Sequence, residues 1–177
     1  VFSPEEYKHE VAFHHTLTEF QYALSNDRIT YYLQPQVDME TGKVIGAEAL
    51  TRWIDKDGSL IPPGSFIPAL EESGFVVTLD KYIWQGVASW LRKRLDQGLP
   101  VVPVSLNVSR VDILACDVAE HMGALAAQYS LPSELMRIEI TETAYTGESE
   151  AVDRLTAELH NRGFSTYMDD FGTGQST

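Results

Sequence analysis

The sequence contains little cysteine, few basic residues and no long apolar run. Cys116 is the only cysteine among 177 residues, so no disulfide can form within the chain, and a reducing, cytoplasmic setting is expected. Lys and Arg number 13 against 26 Asp and Glu, and the net charge of −13 argues against DNA, RNA or an anionic membrane as a partner. With no membrane-length apolar run and no signal-peptide pattern, we expect no direct membrane contact from this chain.

What the sequence does contain is typical of one globular domain. Hydrophobic residues make up 44% and charged residues 22%. Residues 1–30 are predicted to form an N-terminal helix or connector, because Phe13, Leu17, Phe20 and Leu24 fall on one helical face. Residues 31–177 are predicted to form a single barrel-type domain.

Predicted strands and helices alternate after this helix. A hairpin, hence an antiparallel pair, is expected from strands at 31–37 and 44–53. Later strands at 101–108, 136–141 and 164–169 alternate with helices at about 79–91, 117–129 and 150–161, after a short helix near 65–72. Such alternation with short loops predicts a largely parallel sheet covered by helices, either doubly wound or a (β/α) barrel.

Polar residues stand at or near the carboxyl ends of these strands, where parallel strands should be apolar. They are Glu48, Asn107, Glu139 and the adjacent pair Asp169 and Asp170. Barrel enzymes and open α/β sheets place their sites at this end, and carboxylate and amide oxygens suit Mg²⁺, Mn²⁺ or Ca²⁺. One such residue alone is more often an exposed strand position or a turn former. Five at successive strand ends predict a two-ion site, the apparatus for attack of water on a phosphodiester.

Arg52 lies four residues after Glu48, so on one strand the two side chains share a face. Its guanidinium suits a bidentate contact with a phosphate, and it suits an ion pair with one of the acids equally well. The sequence leaves both alternatives open.

Several segments together resemble the EAL domains, which hydrolyse the bacterial messenger cyclic di-GMP. The tripeptide Glu48-Ala49-Leu50 is the family's signature but says little alone. The specificity comes from six matching segments in the family's order: 32–36, 46–53, 63–74, 107–109, 139–142 and 169–174. The implied fold class is α/β, a modified (β/α)8 TIM-like barrel with an antiparallel strand.

The resemblance also implies a metal site. Glu48, Asn107, Glu139 and Asp169 would be ligands of Mg²⁺ or Mn²⁺, with Asp169 bridging two ions and Asp170 serving the second. Glu48, Asp169 and Asp170 would be the catalytic residues.

Three further roles follow from the same resemblance. Arg52 would hold a substrate phosphate, and Gln34 would lie near the bound dinucleotide. Glu142 would steady the loop after the aspartate pair instead of binding metal.

The family continues beyond the last residue of this sequence. About five of the eight barrel strands are present, so we expect the sequence to be C-terminally incomplete and to come from a longer signalling protein. A true truncation is the alternative, and catalysis is expected only with the missing C-terminal residues. The first helix resembles the connector that follows a GGDEF domain, which we expect to precede it. Family members often form homodimers, and the sequence allows one here.

The leading hypothesis is therefore metal-dependent hydrolysis of cyclic di-GMP to linear pGpG. The alternative is a non-catalytic cyclic di-GMP receptor, which the retention of all five polar residues disfavours. A third reading, enolisation on a Mg²⁺ barrel, would need a lysine or histidine base at a strand end. The five histidines are instead predicted on solvated helix faces: His9, His14, His15, His121 and His160.

Overall fold

The computed structural model describes residues 4–141, 144 and 149–169. Its described strands are β1 (Ile29–Val37), β2 (Val44–Ile54), β3 (Leu60–Ile61), β4 (Val104–Val108), β5 (Met136–Thr141) and β6 (Ser165–Asp169). Its described helices are α1 (Pro4–Ser25), α2 (Ile67–Ser73), α3 (Val76–Asp96), α4 (Arg110–Ala115), α5 (Val118–Gln128) and α6 (Ser149–Asn161).

The strands form one sheet in the order β1-β2-β4-β5-β6, with the two-residue β3 on β2. β1 is antiparallel to β2, and the pairs β2-β4, β4-β5 and β5-β6 are parallel. The predicted hairpin and the predicted α/β class with an antiparallel strand are both confirmed.

One face of this sheet is apolar and the other polar, which fits a barrel wall and not a doubly wound sheet. On β4, Val104, Leu106 and Val108 are fully buried in the core, whereas Ser105 and Asn107 occupy the alternate positions. The helices α3, α4, α5 and α6 contact one another as a single layer. A barrel puts its helices outside and its alternate side chains inside, as seen here.

The helix α3 supplies the centre of the core. Its Leu79, Ile83, Val87 and Leu91 are buried on one face, as the helical spacing predicts, whereas Trp90, expected on the same face, is only half-buried. Gly98 follows the helix with φ +66°, a conformation that favours glycine and ends the helix.

The carboxyl-terminal half of α1 packs into the same core. Phe20 is buried, with its ring centroid 6.0 Å from that of Trp53 and 6.1 Å from that of Phe75. Ala23 is also buried. The predicted boundary at residue 30 between connector and barrel stays a prediction, but this half of the helix is held by the barrel.

Two local predictions need correction. The strand predicted from Val101 begins at Val104, because Pro103 has no N–H to donate to a ladder. The short helix α4 was not predicted, and it carries a full capping box between Ser109 and Asp112.

Candidate active site

The predicted site residues Glu48, Asn107 and Glu139 lie on the polar face of neighbouring strands. Asn107 is in direct register with Glu139 across β4 and β5, and Glu48 is in register with Ser105 across β2 and β4. Each strand alternates, so the neighbours of Glu48, Ala47 and Ala49, face the opposite way and are buried. The apolar core thereby fixes the direction in which these polar side chains point.

Glu48 and Asn107 are in direct contact. The Asn107 Nδ2 donates to Glu48 Oε1 at 3.1 Å, and the backbone oxygen of Asn107 accepts from Trp84 Nε1 at 3.1 Å. These two contacts fix both the strand and the amide group. The Asn107 Oδ1 is buried and accepts no hydrogen bond from any described residue. A buried, unpaired oxygen beside a carboxylate is the arrangement that a hard divalent cation would complete, so these residues fit such an ion.

Glu139 is almost completely buried, at 8% exposure, and its Oε1 accepts from Gln36 Nε2 at 3.4 Å. Burying a carboxylate is unfavourable unless positive charge or hydrogen bonds compensate, and the Gln36 amide supplies one such hydrogen bond to Glu139.

The remaining predicted acids lie at the edge of the described structure or beyond it. Asp169 is the last residue of β6, where its backbone is in register with Thr141. Asp170 and Glu142 lie outside the described residues. Among the residues that are described, no three His, Cys, Asp or Glu side chains form a group that could hold a metal ion. Glu48, Glu139 and the Asn107 amide are thus the described part of the predicted ligand set.

Arg52, on β2, contacts a backbone oxygen and an aromatic ring. Its Nη1 donates to the backbone oxygen of Thr51 at 2.8 Å, and its guanidinium lies 5.4 Å from the ring centroid of Tyr32. No ion pair among the described side chains involves Arg52. Gln34 is directly opposite Glu48 in the β1-β2 register, and its side chain is exposed.

A pocket of about 200 Å³ joins Arg52 to the strand ends. Its lining includes Arg52, Asn107 and Thr141 and, from helices α2 and α3, Glu71 and Asp80. The predicted phosphate-binding residue and a predicted metal ligand therefore open onto one cavity.

The sequence reasoning missed an acidic pair beside this pocket. Asp112 is fully buried, and its Oδ2 accepts from the backbone N of Ser109 at 2.8 Å and from Ser109 Oγ at 2.7 Å. Burial, the charge of Asp112 and a hydrogen bond with that carboxyl raise the pKa of Asp80 well above its usual range. Burial and the charge of Asp112 raise the pKa of Glu71 as well. The sequence carried one sign of this pair. Asp80 directly follows Leu79, a residue of the buried face near the start of the amphipathic helix α3.

The prediction for the histidines is wrong at one position. His121 packs against Trp84 with ring centroids 5.7 Å apart, and burial together with nearby Lys81 lowers its pKa. It is half-buried because α5 turns this side toward α3. His9, His14, His15 and His160 are exposed, as predicted.

None of the helices in the described residues combines the length and apolar character of a membrane span.

Comparisons with known proteins agree with this geometry. The EAL domain family profile matches residues 17–177. The chain is 32% identical over 155 residues to the signaling protein YkoW of Bacillus subtilis, covering 88% of this chain and 19% of YkoW. It is 31% identical over 156 residues to the cyclic di-GMP phosphodiesterase RocR of Pseudomonas aeruginosa, covering 87% of this chain and 39% of RocR.

A solved structure of the PaMucR phosphodiesterase in complex with c-di-GMP has the same fold. The TM-score is 0.83 at 27% identity, and the match covers 92% of this chain and 66% of that one. The matched region is thus a part of each of these relatives. The six sequence segments, the sheet order and the family match agree, and the chain belongs to the EAL domain family.

Proposed function

We propose that this protein hydrolyses cyclic di-GMP to linear pGpG with Mg²⁺ or Mn²⁺, as a cytoplasmic enzyme of bacterial second-messenger signalling. The observation that carries the proposal is the contact of Glu48 with Asn107, whose buried Oδ1 has no partner among the described residues, in register with Glu139. Relatives in the same family are named as cyclic di-GMP phosphodiesterases, which supplies the substrate class.

In this proposal the strand ends hold the metal. Glu48, Asn107 and Glu139 would supply three oxygen ligands, and Asp169 and Asp170 would complete the set. The bound ions would lower the pKa of a water nucleophile and stabilise negative charge on the phosphate. Glu139 and Glu48 are held by the core and by hydrogen bonds, so the ligands are oriented before the ion binds.

The proposed substrate lies over the open face of the strand ends. Arg52 contacts a phosphate, because its guanidinium has a free edge and no acidic partner among the described side chains. Tyr32 restricts that guanidinium by stacking on it. Gln34, opposite Glu48, is exposed toward the dinucleotide. Glu142 steadies the loop that follows Asp170.

The chain spans about a fifth of YkoW and two fifths of RocR, so the architecture of the whole protein is also a proposal. A GGDEF domain before α1 and a homodimer are the arrangements that we propose. Phe20 of α1 is buried in the core and packs against Trp53. A movement of α1 would therefore be transmitted to the barrel.

The test is conversion of cyclic di-GMP by the purified protein with Mg²⁺ or Mn²⁺, followed by chromatographic separation of pGpG. We expect pGpG with either metal and none after chelation by EDTA. Binding of cyclic di-GMP by calorimetry without any product would contradict the proposal and support the receptor.

The role of Arg52 is tested on the same samples by Arg52→Lys. The lysine keeps the charge but cannot make the bidentate contact with the phosphate. KM should therefore rise about tenfold, as expected for the loss of one charge-assisted hydrogen bond. Arg92→Lys, on α3, where Arg92 pairs with Asp96, is the matched control and should leave KM unchanged. Equal KM values for both variants would remove Arg52 from the substrate site.

A further inference from the structure

A second polar group lies on the inner face of the sheet, beside Glu139 and away from the pocket. Arg137 precedes Glu139 by two residues on β5, so both side chains point to the inner face. Gln36 reaches this group from β1, across the sheet from β5.

Gln36 connects Arg137 to Glu139. The Arg137 Nη1 donates to Gln36 Oε1 at 3.4 Å, and the Gln36 Nε2 donates to Glu139 Oε1 at 3.4 Å. The guanidinium is fixed by two further contacts: Nη2 with the backbone oxygen of Ile45 at 3.5 Å, and the ring of Tyr167 with its centroid 5.6 Å away. These hydrogen bonds are longer than is usual for N–H···O, but two of them converge on the Gln36 amide.

Gly46 provides the space for this arrangement. A Cβ at residue 46 would lie 2.7 Å from Arg137 Nη1 and 2.7 Å from Gln36 Oε1. Both atoms therefore occupy the volume of the missing side chain. The three residues, which we call the Gln36 bridge (Gln36, Gly46 and Arg137), form one packed unit.

The donor and acceptor atoms of the Gln36 bridge determine how the Glu139 carboxylate is hydrogen-bonded. The guanidinium has only donors, so it holds the amide with Oε1 toward itself and Nε2 toward the carboxylate. A direct arginine-carboxylate pair would engage both oxygens in a fork. The Gln36 amide, which lies between the two, donates to one oxygen of Glu139. It separates the positive charge of Arg137 from that carboxylate.

We propose that Gln36 and Arg137 are positioning residues that orient Glu139 for metal binding. This inference rests on the proposed function, since Glu139 must be a metal ligand for its orientation to matter. Partners of metal ligands outside the coordination sphere commonly change metal affinity by 10–100-fold, and the bridge has that relation to Glu139.

The test is the Kd for Mn²⁺, measured by electron paramagnetic resonance on the purified full-length protein without substrate. Gln36→Met keeps the side-chain length and removes both polar atoms, so Kd should rise about tenfold. Arg137→Lys keeps the charge but loses the two-nitrogen geometry, so Kd should also rise, by a smaller factor. The double variant should match Gln36→Met alone, because Arg137 acts through Gln36.

Gln128→Met, an exposed glutamine on α5, is the matched control and should leave Kd unchanged. The half-saturating Mn²⁺ concentration for turnover should follow Kd, while kcat at saturating Mn²⁺ stays near that of the wild type. A role in packing alone would lower the urea midpoint in EDTA without moving Kd.

The outcomes separate this inference from the proposed function. A Kd for Gln36→Met within twofold of the wild type would refute the positioning role while leaving the enzyme proposal intact. Wild-type protein that binds no Mn²⁺ would refute both. Should Gln36→Met fail to fold, Arg137→Lys decides, because an unchanged Kd in that variant refutes the role of the bridge.

Discussion

Replacing Asp80 by asparagine should make the protein's stability less sensitive to rising pH. Asp80 is half-buried on α3, and its hydrogen-bond partner is Asp112, which is fully buried and already accepts two hydrogen bonds on Oδ2. The Asp112 Oδ1 is buried and has no hydrogen-bond partner among the described residues. Burial and the charge of Asp112 raise the pKa of Asp80 well above its usual range, so the proton of this pair is held on Asp80.

The sign follows from proton linkage. Because the pKa of Asp80 is raised on folding, the folded protein keeps a proton that the unfolded chain releases above about pH 4. The stabilisation is complete below that pH and is lost as pH rises through the raised pKa. The loss is at most about 1.4 kcal/mol per pH unit for one proton. The Asp80→Asn amide stays neutral and can donate to Asp112 Oδ1, so this loss disappears.

The assay is urea unfolding of the wild type and Asp80→Asn at pH values from 5 to 8. The free energy of unfolding of the variant relative to the wild type should rise steadily with pH. Asp96→Asn, an exposed acid at the end of the same helix, is the control and should give a small, pH-independent difference. A difference between Asp80→Asn and the wild type that does not change with pH would mean that Asp80 does not keep a proton in the folded protein.

Three further substitutions test the fold around the site, each by urea unfolding. Ser109→Ala removes the side-chain cap of α4 and leaves Asp112 with one hydrogen bond fewer, so it should cost about 1–2 kcal/mol; no loss would mean that the capping box is unimportant. Phe20→Ala should cost about 3–5 kcal/mol, and a much smaller value would mean that α1 does not pack on the barrel. Gly46→Ala should cost roughly 1–3 kcal/mol through its contacts with Arg137 and Gln36, and an unchanged midpoint would contradict that packing.

Periodic features of the sequence were enough to predict the strands and the polar residues on their inner face, although Glu48 lies in the middle of β2 and not at its carboxyl end. The hairpin, the parallel strands and the face of α3 all follow from spacing of apolar residues, which burial enforces directly. Glu48, Asn107 and Glu139 were visible because each interrupts a run that should be apolar.

The features that the sequence did not reveal depend on contacts between distant segments. Gln36 is 101 residues from Arg137 in sequence, and Gly46 matters only because both side chains fill its missing Cβ. Asp80 and Asp112 come from different helices, and from the sequence each would be interpreted as a surface acid. The helix α4 is too short for a periodic signal, so its existence depends on the cap formed by Ser109.

The metal-dependent phosphodiesterase activity is tested by the rate of pGpG formation from cyclic di-GMP by the wild type and by Glu48→Gln, at saturating substrate and Mn²⁺. Glutamine keeps the size of the side chain and removes the anionic ligand, so we expect pGpG from the wild type and a loss of rate of at least about 100-fold in the variant. Equal rates for the two proteins, or a wild type that binds the dinucleotide and never cleaves it, would contradict the claim that these strand ends form a metal-dependent phosphodiesterase site.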